Sequence, residues 1–108
     1  MKNKKFESIS KKSEISKIFS KGQVISNSVY LFKYLPSKTF RLGISAAKKN
    51  FKLSITRNKI KRQLRNMFYS FNSFPKIDLF VIVKKTYKTN EYGEMLKHLK
   101  LLYTKLNK

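Results

Sequence analysis

From Ile15 to Ile77 the chain carries 14 Lys and Arg residues and not one Asp or Glu. A fold built from such a stretch must turn its cations outward, and nothing local neutralises them, so the middle of the domain holds a positive field suited to a polyanion. The whole chain keeps the imbalance: 26 basic residues against 5 acids give a formal charge of +21 over 108 residues. That balance disfavours an enzyme acting alone on a small molecule. A content of 41% hydrophobic residues, with nine Phe and six Tyr, is nevertheless enough for a core, which a disordered basic tail lacks. The length predicts one domain, residues 1–108. The absence of cysteine rules out disulfides, thiolate zinc sites and Cys nucleophiles. No run approaches the roughly 20 apolar residues of a membrane span. Met1 to Lys12 is basic and lacks the apolar run of a signal peptide, so it is expected to be a loose basic arm on a cytoplasmic protein.

Ser13 suits the N-cap of a short helix with Ile15, Ile18 and Phe19 on one face, and Gly22 suits the position just past its end. Val24 to Leu35 and Phe40 to Ala47 predict two strands joined by a turn at Pro36-Ser37-Lys38. In Lys49 to Ile55 the alternation of Phe51, Leu53 and Ile55 fits a short strand or an extended connection. From Thr56, a possible cap, Ile60, Leu64, Met67, Phe68 and Phe71 recur at helical spacing. Asp78 to Lys84 predicts a strand covered on both faces. A last helix is expected from about Glu91, with Met95, Leu96, Leu99, Leu102, Tyr103 and Leu106 on its inner stripe. The expected class is α+β, a small, mostly four-stranded sheet with about three helices in the order α-β-β-β-α-β-α.

The densest chemical signal is the run Arg57-Asn58-Lys59-Ile60-Lys61-Arg62-Gln63-Leu64-Arg65. Steps of four residues drift only about 40° around a helix, so Arg57, Lys61 and Arg65 form one cationic row, with Asn58 and Arg62 in the next. Arg supplies planar bidentate donors to phosphates, and Asn supplies base-edge or sugar contacts. A merely solvated helix face would mix signs, whereas this one holds no acid. Lys48 and Lys49 add two ammonium groups near its start, while Arg41, inside a strand, says little alone. Phe and Tyr rings can stack on unpaired bases, yet without Trp most must build the core. Catalysis by this chain is not expected: His98 has no carboxylate close in sequence, the five acids are scattered, and no Gly-rich phosphate loop occurs.

The block Arg41-Leu42-Gly43-Ile44-Ser45-Ala46-Ala47-Lys48-Lys49, then Arg57 to Arg65, then Asp78 opening an apolar strand, resembles the protein component of bacterial ribonuclease P, over about Lys11 to Leu106. The resemblance implies an α/β sandwich with a left-handed β-α-β crossover, against the usual hand. It implies a protein subunit for a catalytic RNA that removes the 5′ leader of precursor tRNA, with ribonuclease P RNA and precursor tRNA as partners; no membrane is expected and no protein partner is inferred. Mg²⁺ would be bound mainly by the RNA. By similarity, Arg57, Asn58, Lys61, Arg62 and Arg65, with Lys48 and Lys49, take the RNA-binding role, and no side chain is catalytic. Phe19 and Ile15 fall on a leader cleft that the resemblance places between the first helix, the sheet and the central helix.

Some features depart from that pattern. Ile15 stands where many members have Phe, no Gly lies between Lys49 and Arg57, and Lys84-Lys85 replace a small residue and Arg. Counting from Gly22 places Leu31 and Lys33 on the cleft side of the first strand, whereas alternation alone equally allows Tyr30, Phe32 and Tyr34. Phe19 can stack on a leader nucleotide or pack in the core. The charge alone would also permit a ribosomal or other structural RNA-binding protein. A helix-turn-helix DNA binder fits less well, because the central helix follows strands.

Overall fold

The structure, a computed structural model, describes residues 6–107. In chain order the elements are β1 (Glu7–Ser8), α1 (Lys12–Lys21), β2 (Gln23–Ser26), β3 (Tyr30–Pro36), β4 (Arg41–Ala46), α2 (Ser54–Tyr69), β5 (Ile77–Val83) and α3 (Tyr92–Thr104), closed by a 3₁₀ turn at Lys105–Asn107. The strands form one mixed sheet in the order β1-β4-β5-β3-β2. β4 runs parallel to both β1 and β5, while β3 is antiparallel to β5 and to β2. β4, α2 and β5 therefore make a β-α-β unit whose strands are direct neighbours.

Alternation along the strands divides the core. Tyr30 and Phe32 of β3, Leu42 and Ala46 of β4, and Leu79, Val81 and Val83 of β5 are buried on one face. α2 covers that face with Ile60, Leu64, Met67 and Phe68, and α3 with Met95, Leu99, Leu102 and Tyr103. Each large apolar side chain so buried contributes about 1.5–3 kcal/mol. The buried Tyr30 hydroxyl donates to the Met95 carbonyl at 2.8 Å and fixes α3 over β3. On the other face a smaller cluster of Ile9, Ile18 and Phe80, with Ile15, Leu35 and Ile82 against it, seats α1. Gly43 allows this packing, since a Cβ there would lie 2.5 Å from the Phe80 ring.

Several sequence expectations are corrected. The basic arm is not loose over residues 6–12: Phe6 is buried in a ring cluster with Phe40, Phe68, Tyr69 and Phe74, and β1 adds a fifth strand at the sheet edge. Residues 1–5 of that expected arm lie outside the described ones. The expected first strand is a hairpin of β2 and β3, broken where the Asn27 side-chain oxygen accepts from the N–H groups of Val29 and Tyr30. The caps also move. α1 begins after Lys11 and α2 after Leu53, with no side-chain cap bond at either, so Ser13 and Thr56 lie inside the helices. Residues 49–53 form no strand; the Phe51 N–H closes a turn on the Ala47 carbonyl, and the buried ring anchors it.

Arg41 joins three elements. From β4 its Nε and Nη2 donate to both carboxylate oxygens of Asp78 on β5, at 2.8 and 2.7 Å, and its Nη1 lies 2.8 Å from Glu14 on α1. Among the described residues these are the only ion pairs. The hydrogen bonds from Arg41 hold the Asp78 carboxyl below the usual carboxylate range, against the opposing effect of burial. A carboxyl depressed in the folded state stabilises it above the unfolded value of about 3.9, and that contribution fades as pH falls through the lower folded value. Arg41→Met should cost about 1–3 kcal/mol at neutral pH, between the exposed and fully buried cases. It should also flatten the loss of stability below about pH 4. Urea midpoints of both proteins between pH 7 and 3 check this; parallel pH profiles would show that Arg41 does not set the acid sensitivity.

Candidate nucleic-acid interface

α2 presents the basic block because its apolar residues leave no other orientation. Ile60 and Leu64 are fully buried against the sheet, which turns Asn58, Arg62 and Arg65 outward, exposed, with Lys61 half-buried beside them. Steps of four along the row advance about 6 Å. Arg57 is engaged differently: its Nη1 donates to the carbonyls of Phe51 and Lys52 at 2.8 and 3.0 Å, clamping the turn that leads into α2. Lys48 and Lys49 stand exposed on that turn. The site residues expected on the basic block are thus brought onto one side of α2 and its entry, with Arg57 at its structural root. Their charge is uncompensated, since the ion pairs among the described residues all belong to Arg41.

The row borders a recess of about 220 Å³ between the N-terminal segment, β4 and α2. Lys61 and Arg65 line it together with Ser8, Ser10 and Gly43. Two cations and two hydroxyls around a small hollow favour an anionic group with several acceptor oxygens.

The other candidates lie on the opposite side of the sheet, where α1 packs, so the central helix expected beside the cleft stands across the sheet from it. Register places Leu31 across from Ile82 and Lys33 across from Phe80, so both lie on the α1 face, and Tyr30 and Phe32 face the main core. Ile15 is half-buried against Ile18 and Phe80, a packing position at the floor. Phe19 is 44% exposed at the mouth. Its ring meets Phe80 edge-to-face at 5.4 Å, and the Lys33 ammonium lies 4.6 Å from its centroid. Phe19 is thus neither a core ring nor a free one: Phe80 meets it edge-to-face and the Lys33 ammonium sits over its ring. Val24, paired with Lys33 and 51% exposed, extends the apolar surface.

Sequence reasoning missed Val24, Phe80 and above all Arg41. The alternation of Phe80 and Ile82 against Leu79, Val81 and Val83 was a usable signal for the second face, but nothing local to Arg41 announced its partners 27 residues before and 37 after it. His98 is half-buried, and its carbonyl accepts from the Asn27 amide at 3.0 Å. Lys84 donates to the Asn27 carbonyl, so of the Lys84-Lys85 pair only Lys85 is fully exposed. Among the described residues no three His, Asp or Glu side chains converge as a metal site, and no helix is long and apolar enough to cross a membrane.

A family model described as Ribonuclease P matches residues 3–107. The ribonuclease P protein component of Macrococcus caseolyticus is 34% identical over 107 residues, covering 93% of this chain and 92% of that one. That of Mesoplasma florum is 34% identical, and the match covers 100% of both chains. The solved Staphylococcus aureus RNase P protein superposes with a TM-score of 0.76 at 29% identity, over 92% of this chain and 99% of that one. The Thermotoga maritima protein, at 23% identity and a TM-score of 0.77 over 91% and 96%, shares the fold. With the family profile spanning nearly its whole length and two relatives above 30% identity, this chain belongs to the ribonuclease P protein family.

Proposed function

We propose that this protein binds the catalytic RNA of ribonuclease P with the outer side of α2, and the 5′ leader of precursor tRNA with the cleft between α1 and the sheet. Family membership makes it the protein subunit of the ribonucleoprotein that matures the tRNA 5′ end; the proposal concerns which surface does what, in the cytoplasm where precursor tRNA is processed. One observation carries it: Arg62 and Arg65 stand exposed and without acidic partners on a helix held rigid by four buried side chains. The catalytic RNA and its substrate repel each other, and a protein of charge +21 touching both offsets that repulsion.

The chain's own residues bind and orient. Lys61 and Arg65 over their recess, with Asn58, Arg62, Lys48 and Lys49, engage phosphates and sugars. Arg57 keeps the entry turn in place. Phe19, Leu31 and Val24 offer apolar surface to unpaired nucleotides, and Lys33 supplies charge for their phosphates. On this proposal Mg²⁺ is bound mainly by the catalytic RNA, and the protein's side chains bind and position rather than act as acid or base. Mixing the protein with ribonuclease P RNA and precursor tRNA at low Mg²⁺ should restore 5′ cleavage that the RNA alone performs poorly; unchanged cleavage would defeat the assignment.

The two surfaces have separable signatures. Arg62→Ala together with Arg65→Ala should weaken assembly with the catalytic RNA and reduce the log-log salt slope by about 0.7–0.9 for each phosphate no longer neutralised. An unchanged slope would show that this side of α2 is only solvated. Phe19→Ala should weaken precursor tRNA binding to the holoenzyme by about 1–3 kcal/mol and leave mature tRNA binding unchanged. Because Phe19 is already 44% exposed, its truncation should cost less stability than the roughly 3–5 kcal/mol of a core Phe. Paired melting and binding measurements decide, and a large melting loss without selective loss of precursor affinity would return Phe19 to the core.

A further inference from the structure

Leu53 and Ile55 are 65% and 73% exposed, two of the six large hydrophobic side chains exposed among the described residues. Single exposed apolar residues are ordinary. These two stand a residue apart in the most cationic stretch of the chain, among the exposed Lys48, Lys49, Lys52 and Lys59. Neither contributes to either hydrophobic cluster.

Nor does either serve the helix it begins. Leu53 occupies the N-cap position of α2, where Ser, Thr, Asp or Asn would accept from a first-turn N–H, and it makes no such bond. Ile55 puts a β-branched side chain in a first turn that holds no acid, where a carboxylate would be favoured. Residues that break local preference with no return in packing mark functional positions. What covers them follows from charge. Four exposed lysines within five residues of the two along the chain repel a second copy of a +21 chain and complement a polyanion that carries flat apolar faces between its charges. An RNA strand with unstacked bases meets that description.

We propose that Leu53 and Ile55 form an apolar pad for the base of an unpaired nucleotide of the catalytic RNA, with the surrounding lysines on its phosphates. The proposal rests on the reading of α2 as the side facing that RNA. Its signature is weaker affinity at constant charge. Leu53→Ser with Ile55→Ser should weaken binding of ribonuclease P RNA roughly tenfold, with the salt slope and the melting temperature unchanged. Leu53→Met with Ile55→Val, which keeps the apolar surface, should retain wild-type affinity. Wild-type affinity in the Ser pair overturns the pad, and so does a reduced salt slope. If Arg62→Ala with Arg65→Ala also leaves affinity and slope unchanged, the reading of α2 itself fails and the pad with it. A Ser pair that binds RNA normally but loses binding to phosphatidylglycerol vesicles would assign the patch to an anionic membrane instead.

Discussion

The guanidinium of Arg41 ties α1, β4 and β5 to one another, and with the cluster of Ile9, Ile18 and Phe80 it sets the cleft between α1 and the sheet. Its two bonds to Asp78 bind the paired ends of the parallel strands, and its contact with Glu14 draws the first turn of α1 onto the same spot. From there α1 runs over the sheet until Ile18 and Phe19 meet Phe80. An apolar contact would hold α1 against the sheet but would leave its rotation free. The guanidinium, itself held at two points by Asp78, adds a directional contact to Glu14 that favours one rotation.

The same triad organises the electrostatics. Two of the five acids are paired with a single arginine at one end of the α1 face, and the other three lie at Glu7, Glu91 and Glu94. The cations from Lys48 to Arg65 are therefore without acidic partners, and all but Arg57, which clamps its entry turn, are left to act outward. The protein separates the charge that holds it together from the charge it presents, and the two do not compete.

Much of this was legible in the sequence. The helical spacing of Ile60, Leu64, Met67 and Phe68 fixed which side of α2 faces out, and so located Arg62 and Arg65 without a structure. Period-two alternation separated Leu31 and Lys33 from Tyr30 and Phe32, leaving only the identity of the two faces open. What could not be read depended on partners distant along the chain. The role of Arg41 needs Glu14 and Asp78 at once, β1 needs the edge of β4, and the break between β2 and β3 needs the Asn27 turn. The caps misled for a different reason. Lys11 and Leu53 hold positions that Ser13 and Thr56 would suit better, and tertiary anchoring by Ile18 and Phe51 overrode that preference.

β5 lies between β3 and β4, which do not pair with each other. On the ribosome, then, the β2–β3 hairpin can close as soon as it emerges, but β4 has no strand beside it except the two residues of β1 until Ile77 to Val83 have been made. Phe6 waits as well, for Phe68, Tyr69 and Phe74. Phe6 is thus placed among the last, and a nascent chain cut short before β5 has a β2–β3 hairpin with nothing to join it to β4.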